Sequence, residues 1–171
     1  MSDKGFDAQS SRAEGFTHLD SAGAARMVDV SGKEVSVRTA TATGRVLVSA
    51  EVVGLLRGGG VPKGDAIAVA RIAGIQAAKR TPDLVPLCHP IAIHGVTVDL
   101  EVLDDAVAIT AVVRTADRTG VEMEALTCVA VAGLALIDMV KAVDPAATIT
   151  DVRAEEKTGG KTGLWRRDGS S

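Results

Sequence analysis

The stretch "GVTVDLEVLDDAVAITAVVRT", residues 95–115, decides the fold. Two runs rich in β-branched residues flank Asp104 and Asp105. Such runs on either side of a short polar turn are typical of two antiparallel strands joined as a hairpin. The stretch therefore predicts a β-hairpin, and the segments on either side of it predict what packs against that hairpin.

Helical and strand patterns alternate around the hairpin. Ser49 and Asp65 are the predicted N-caps of the first two helices. The predicted helices cover residues 50–58, 66–80 (ended by Pro82) and about 122–143 (ended before Pro145). Further strands are predicted over residues 34–44 and 148–156. The order β-α-β-β-α-β, with the first α split in two, predicts an α+β ferredoxin-like fold with an antiparallel sheet and helices on one face.

The two ends of the chain differ in composition from its middle. Residues 1–15 are polar and charged, and we expect them to be disordered. Residues 159–171 are Gly-rich and basic, and we expect a flexible tail. Residues 16–158 are predicted to form one domain.

The composition excludes several classes of protein. A net charge of −3 and 2% aromatic residues argue against binding nucleic acid, which requires a basic face or stacking platforms. Two cysteines make no disulfide framework and favour a reducing compartment. The N-terminus has no apolar signal core, and the uncharged run 125–137 is too short for a bilayer. We expect a soluble cytoplasmic protein that contacts no membrane.

The run 125–137 also predicts an assembly. It is apolar on all sides, and a helix of this kind is buried on most sides. A single sheet covers one side, so we expect a second subunit to cover the rest. Gly74 and Gly133, each within a predicted helix, favour close packing between helices.

Acidic residues stand at both ends of this last helix. Asp138 and Lys141 share a helix face. They form either a solvated ion pair or a partly buried acid–base pair. Glu122 and Glu124 lie in the first turn, where the helix dipole favours carboxylates. Glu124 and Asp138 are roughly 21 Å apart along the axis. If both serve one site, two chains must build it.

Three loops contain other candidate residues. Cys88 and His89 are neighbours in "LVPLCHPIAIHG" (84–95). Three interpretations are open: the two residues are zinc ligands, they form a nucleophilic dyad, or Cys88 is buried packing. Lys63 precedes a helix N-terminus, a favourable position for an anion. "KTGGKTG" (157–163) lacks the spacing of a Walker loop but offers Lys157 and Lys161 as part of a basic lid.

Six segments stand out along the chain: "MVDVS" (27–31), "KGD" (63–65), "ARIAGIQAAKRTPDLVPLCHP" (70–90), "TGVEMEALT" (119–127), "DMVKA" (138–142) and "KTGGKTG" (157–163). Together these segments closely resemble the MoaC family of molybdenum-cofactor biosynthesis. They cover about residues 16–163 in the family's order. Cys128 departs from the pattern, since a small Ala is expected there.

The resemblance implies a function and an assembly. It implies conversion of 3′,8-cyclo-7,8-dihydro-GTP, supplied by a radical-SAM GTP cyclase, into cyclic pyranopterin monophosphate and pyrophosphate. It implies a homohexamer, a trimer of dimers, with sites at dimer interfaces. The triphosphate can carry Mg²⁺, although no carboxylate cage is evident, and no other cofactor or metal site is implied.

The resemblance also assigns residues, position by position. Asp138, Lys141 and Lys63 correspond to catalytic positions. The substrate-binding positions are Arg38, Cys88, His89, Glu122, Met123, Glu124 and Lys157. The alternative from a different class is a non-catalytic ferredoxin-like module that binds a nucleotide or a regulator.

Overall fold

A computed structural model describes residues 22–161 and 163–169 of the chain. The disorder predicted for residues 1–15 lies outside the described residues. The structure is built on one sheet of five strands in the order β2-β3-β1-β4-β5. The strands are β1 (Ser36–Leu47), β2 (Gly95–Val102), β3 (Ala106–Asp117), β4 (Thr148–Thr158) and β5 (Trp165–Arg166).

The predicted hairpin is confirmed and forms one side of the sheet. β2 and β3 pair antiparallel from Gly95 opposite Arg114 to Val102 opposite Val107. The amide of Leu103 donates to the carbonyl oxygen of Ala106 at 2.8 Å and closes the turn. β3 then pairs with β1, and β1 with β4, so the first four strands have the predicted ferredoxin-like topology.

Four helices in the described part of the chain lie between these strands in sequence. They are α1 (Ala50–Gly58), α2 (Ala66–Ala78), α3 (Thr81–Leu84) and α4 (Glu122–Val140). Both predicted N-caps are present: Ser49 accepts from the amide of Val52 at 3.4 Å, and Asp65 accepts from that of Ala68 at 2.9 Å. Pro82 does not simply end α2, but lies in the first turn of α3, where a missing amide hydrogen costs nothing.

The core lies between the sheet and two helices, α2 and α4. Leu136 and Cys128 of α4 are fully buried, with Ile109 of β3 among the largest buried side chains. Small residues allow close approach, since a Cβ on Gly133 would lie 3.2 Å from the Ile149 side chain. The predicted close packing between helices is confirmed for Gly74, where a Cβ would lie 3.1 Å from the Ala132 side chain of α4, whereas Gly133 packs against the sheet.

One side of α4 is covered by an element that the sequence prediction did not consider. The prediction gave one side of α4 to the sheet and the rest to another subunit. In the structure, α2 of the same chain packs along a second side. Leu134 is nevertheless 61% exposed on α4, and Ile72 is 57% exposed on α2. A second subunit over these side chains stays a prediction.

Within the described ranges, α4 is the helix with the length and apolar composition of a membrane span. The uncharged run 125–137 is only part of this helix, which has 19 residues and ends three residues before the predicted end at 143. Its buried residues pack on the sheet and on α2, which is the position of a core helix.

The C-terminal segment departs from a tail without structure. β5 pairs with β4, with Trp165 opposite Lys157 and Arg166 opposite Glu156. Gly159 and Gly160 adopt φ of +92° and +67° and pack against Arg38. Residues 163–169 therefore include a short strand, while flexibility of the segment as a whole stays a prediction.

Candidate active site

One cluster of candidate residues lies at the C-terminal end of α4. We call Lys63, Asp138 and Lys141 the lysine–aspartate cluster. The Lys141 ammonium lies 2.7 Å from Asp138 Oδ1. The Lys63 ammonium lies 3.3 Å from Asp138 Oδ2 and donates to the Asp138 backbone oxygen at 2.7 Å. One carboxylate therefore contacts two ammonium groups.

Local structure explains how this cluster forms. Asp138 and Lys141 are three residues apart on a helix and so share a face. Lys63 comes from the loop between α1 and α2, where Gly64 adopts a φ of +105° that favours glycine. The carbonyls of the last turn of a helix have no partner within the helix. Lys63 satisfies one of them.

The cluster is positively charged and open to solvent in the single chain. The side chains of Lys63, Asp138 and Lys141 are 42%, 58% and 56% exposed. Hydrogen bonds from Lys141 and then from Lys63 hold the pKa of the Asp138 carboxyl below its usual value. Two ammonium groups on one carboxylate leave one positive charge for an anionic ligand.

A second group of residues surrounds a cavity of about 380 Å³ at the N-terminal end of α4, which we call the helix-start cavity. Its lining residues come from the loops before β1, before β2 and before α4, and from α4 itself. They are Val28, Val30, Lys33, Leu87, Cys88, His89, Thr119, Gly120, Glu122, Met123 and Glu124.

Burial alters the acid–base behaviour of this cavity. Glu124 is 3% exposed. Burial, reinforced by the charge of Glu122, raises the pKa of its carboxyl to about 7, although a hydrogen bond from its own backbone amide opposes this. Burial and the charge of Glu124 also raise the pKa of the Cys88 thiol. The cavity therefore contains a carboxyl that is partly neutral at physiological pH.

The imidazole of His89 has one fixed partner. Its Nε2 lies 2.6 Å from the backbone oxygen of Val28. A carbonyl oxygen only accepts, so Nε2 carries a hydrogen and donates it. Nδ1 is the ring nitrogen left for a ligand, and it donates only when the ring is protonated.

A smaller cavity of about 150 Å³ adjoins the first, and we call it the cationic cavity. Arg38, Lys157 and Lys161 line it together with the turn at Gly159. Arg38 Nε donates to the backbone oxygen of Asp117 at 2.9 Å. The Lys157 ammonium lies 2.8 Å from Glu122 Oε1. Glu122 and Gly120 line both cavities.

Comparison with known proteins places the chain in a family. The model of the MoaC family matches residues 27–160. This chain belongs to the MoaC family. A cyclic pyranopterin monophosphate synthase of Streptomyces coelicolor is 72% identical over 152 residues, 89% of each chain. One of a Nocardioides species is 71% identical over 155 residues, 89% of this chain and 95% of the relative. The cyclic pyranopterin monophosphate synthase 2 of Mycobacterium tuberculosis is 56% identical over 156 residues, 91% of this chain and 93% of the relative.

Membership of the MoaC family confirms the resemblance drawn from the sequence. The chain is an enzyme of the lyase type in molybdenum cofactor biosynthesis. The MoaC match covers residues 27–160, so it includes all ten predicted site residues and the turn at Gly159.

The structure of this MoaC chain divides the ten predicted site residues between two places. The lysine–aspartate cluster contains three of them. The other seven lie around the two cavities at the start of α4: Arg38, Cys88, His89, Glu122, Met123, Glu124 and Lys157. Glu122 and Asp138 are 16 residues apart on α4, about 24 Å along the axis. One chain therefore does not bring the two groups together.

Sequence reasoning missed some residues that line the cavities of this MoaC chain. Gly120 was quoted within a motif but given no role, although it lines both cavities. Lys33 lines the helix-start cavity from a polar loop. It had no signal in the sequence, because a single Lys in such a loop is common. Among residues 22–161 and 163–169, no group of three or more His, Cys, Asp or Glu is arranged as metal ligands.

Proposed function

We propose that this chain converts 3′,8-cyclo-7,8-dihydro-GTP into cyclic pyranopterin monophosphate with release of pyrophosphate. The names of the relatives support the product. The observation that carries the proposal is the contact of the Asp138 carboxylate with the ammonium groups of both Lys63 and Lys141. Such a group can bind a polyphosphate and transfer protons, and the reaction requires both.

The two lysines are the proposed acid and base. Opening the guanine-derived ring and closing it as a pterin takes several proton transfers, each of which a positioned group accelerates by about 10²–10⁴-fold. Asp138 balances one of the two ammonium charges and fixes the position of both. Lys63 and Lys141 then alternate as proton donor and acceptor, while Asp138 stays ionised.

The cyclic phosphate forms by displacement at the α-phosphorus. A ribose-derived hydroxyl forms the new O–P bond and passes its proton to the basic lysine. The bond from the α-phosphorus to the bridging oxygen breaks, and pyrophosphate leaves with its electron pair. The ammonium groups stabilise the charge that develops on the phosphate oxygens.

The cavities at the start of α4 are the proposed sites for the ring and the phosphates. Glu124, when neutral, can donate a hydrogen bond to a ring carbonyl, and ionised Glu122 can accept from a ring N–H. Cys88 and Met123 line the same cavity. For the phosphates we propose Arg38, Lys157 and His89. Mg²⁺ on the triphosphate is compatible with this arrangement.

A complete site in this proposal needs two chains. The two groups of residues are separated by about 24 Å along α4, farther than one substrate spans. A twofold interface would bring the start of one α4 to the end of its partner's and create two equivalent sites. The exposed side chains of Ile72 and Leu134 support such contacts. We propose a cytoplasmic homohexamer, a trimer of dimers, with substrate supplied by a radical-SAM GTP cyclase.

The first experiment is a turnover assay on the whole chain. We expect incubation with 3′,8-cyclo-7,8-dihydro-GTP to release pyrophosphate and to yield a pterin that fluoresces after oxidation. Lys141→Ala should lower kcat by at least about 10²-fold. Arg57→Ala is the matched control, because Arg57 forms an exposed ion pair of 2.9 Å with Asp104. Neither residue belongs to the lysine–aspartate cluster or lines either cavity. Absence of turnover by folded wild-type protein would favour a nucleotide-binding module.

A mixing experiment tests whether two chains share a site. Lys141→Ala and Glu124→Ala each disable one half of the proposed site. If the variants are unfolded and refolded together, mixed dimers contain one site with both halves intact. Random pairing then predicts recovery of about a quarter of wild-type turnover. If the mixture is no more active than the separate variants, the shared site is wrong.

A further inference from the structure

Gly120 lies where any side chain would displace a candidate site residue. A Cβ on Gly120 would overlap Glu122 Oε2 and lie 2.7 Å from Glu122 Cδ. The φ of Gly120 lies outside the left-handed region, so its backbone does not itself require glycine. The three atoms nearest to that Cβ all belong to the Glu122 carboxylate, which occupies the space that a methyl group would fill.

The carboxylate that occupies this space lies at the junction of the two cavities. Gly120 and Glu122 are lining residues of both the helix-start cavity and the cationic cavity. On the cationic side, Glu122 Oε1 lies 2.8 Å from the Lys157 ammonium. The side chains of Glu122 and Lys157 are 28% and 37% exposed, so a ligand can reach them.

We propose that Gly120 is a positioning residue: its missing side chain makes the seat that holds the Glu122 carboxylate between the two cavities and against Lys157. The effect on turnover rests on the proposed function. The ion pair fixes the Lys157 ammonium at the border between the helix-start cavity and the cationic cavity. A carboxylate displaced from the seat would release Lys157, and errors of about 1 Å in such positions can cost about 10²-fold in rate.

A double-mutant cycle distinguishes positioning of the Glu122 carboxylate from a general role of Gly120 in the conformation of its loop. Its four proteins are wild type, Gly120→Ala, Glu122→Ala and the double variant. In the wild-type background, the new methyl displaces the Glu122 carboxylate. In the Glu122→Ala background nothing is left to displace, so the second substitution should have no further effect. Gly54→Ala is the control, because a Cβ there meets nothing within 4 Å.

The primary readout is the NMR chemical shift of the Lys157 Cε methylene, which is next to the ammonium group. This measurement needs no substrate. We expect Gly120→Ala and Glu122→Ala to shift this signal in the same direction. The double variant should match Glu122→Ala, and Gly54→Ala should match wild type. An unchanged Lys157 signal in Gly120→Ala would overturn the proposal.

The second readout is steady-state kinetics with 3′,8-cyclo-7,8-dihydro-GTP. We expect Gly120→Ala to lower kcat/KM by about 10- to 100-fold in the wild-type background and by less than about twofold in the Glu122→Ala background. Equal losses in both backgrounds would mean that Gly120 acts through the conformation of its loop and not through Glu122, which would overturn the proposal. If wild type shows no turnover, the proposed function fails, and the NMR cycle still tests whether Gly120 positions the Glu122 carboxylate.

Discussion

Gly74 of α2 packs directly against Cys128 of α4. A Cβ on Gly74 would lie 2.9 Å from the Cys128 backbone oxygen and 3.2 Å from its Sγ. The backbones of the two helices are therefore as close as glycine allows. The contact therefore fixes the position of α4, which carries candidate site residues near both of its ends, relative to α2.

Gly74→Ala should destabilise the fold. The added methyl meets a backbone oxygen that cannot rotate away, and overpacking of this kind costs about 1–3 kcal/mol. Gly54→Ala, at an exposed position of α1, is the control and should raise the free energy of unfolding by about 0.5–1 kcal/mol. Urea denaturation measures both. A Gly74→Ala variant as stable as wild type would show that the helices separate without cost.

The Asp138 carboxyl should titrate below the usual aspartate pKa of 3.8. The hydrogen bond from Lys141 is the main cause, so Lys141→Ala should raise the pKa more than Lys63→Ala does. Because the pKa is lower in the folded state, any contribution to stability is present above pH 3.8 and is lost as pH falls through the folded-state value. Carboxyl ¹³C NMR titration measures it. Equal pKa values in wild type and Lys141→Ala would contradict the assignment.

The sequence predicted those parts of the fold that local rules determine. Strand alternation located the hairpin at 95–115, and Ser49 and Asp65 cap α1 and α2 as expected. Asp138 and Lys141 could be paired from their spacing on one helix. These features depend on neighbours along the chain, which the sequence shows directly.

Contacts between distant residues were beyond local rules. Lys63 meets Asp138 across 75 positions, and only the resemblance joined them before the structure did. The role of Gly120 depends on the rotamer of Glu122, which no sequence pattern shows. The cover of α4 by α2 was missed because an apolar helix does not reveal which element covers each side.

The stability of the protein should fall as pH rises from about 4.5 to about 7. The pKa of Glu124 is about 7 in the folded state against 4.5 for the free group, so the folded protein binds the proton more tightly over this range. Ionising the buried carboxyl costs about 3 kcal/mol, which is fully felt above pH 7. Glu124→Gln removes this charge and should raise the melting temperature at pH 8.

Thermal unfolding of both proteins from pH 5 to 8 measures this effect. The difference between wild type and Glu124→Gln should grow with pH and level off above about pH 7. Glu101→Gln, at an exposed position of β2, is the control and should parallel wild type. A constant difference across the range would mean that Glu124 is already ionised at pH 5.

The two cysteines should differ in their reaction with iodoacetamide. Cys128 is fully buried and burial raises its pKa to about 12, so it should not react in the folded protein. Cys88 is partly exposed in the helix-start cavity, and its raised pKa should slow the reaction without stopping it. Mass spectrometry should therefore find one modified thiol per folded chain and two per denatured chain.

The rate at Cys88 also reports the charge of Glu124. At pH 8 Glu124 is mostly ionised and disfavours the neighbouring thiolate, so Glu124→Gln should speed the alkylation of Cys88. The gain should be modest, because burial is the larger cause of the raised pKa of Cys88. It should shrink as pH falls below about 7, where wild-type Glu124 becomes neutral as well. An equal gain at pH 6 and pH 8 would attribute the change to better access rather than to charge.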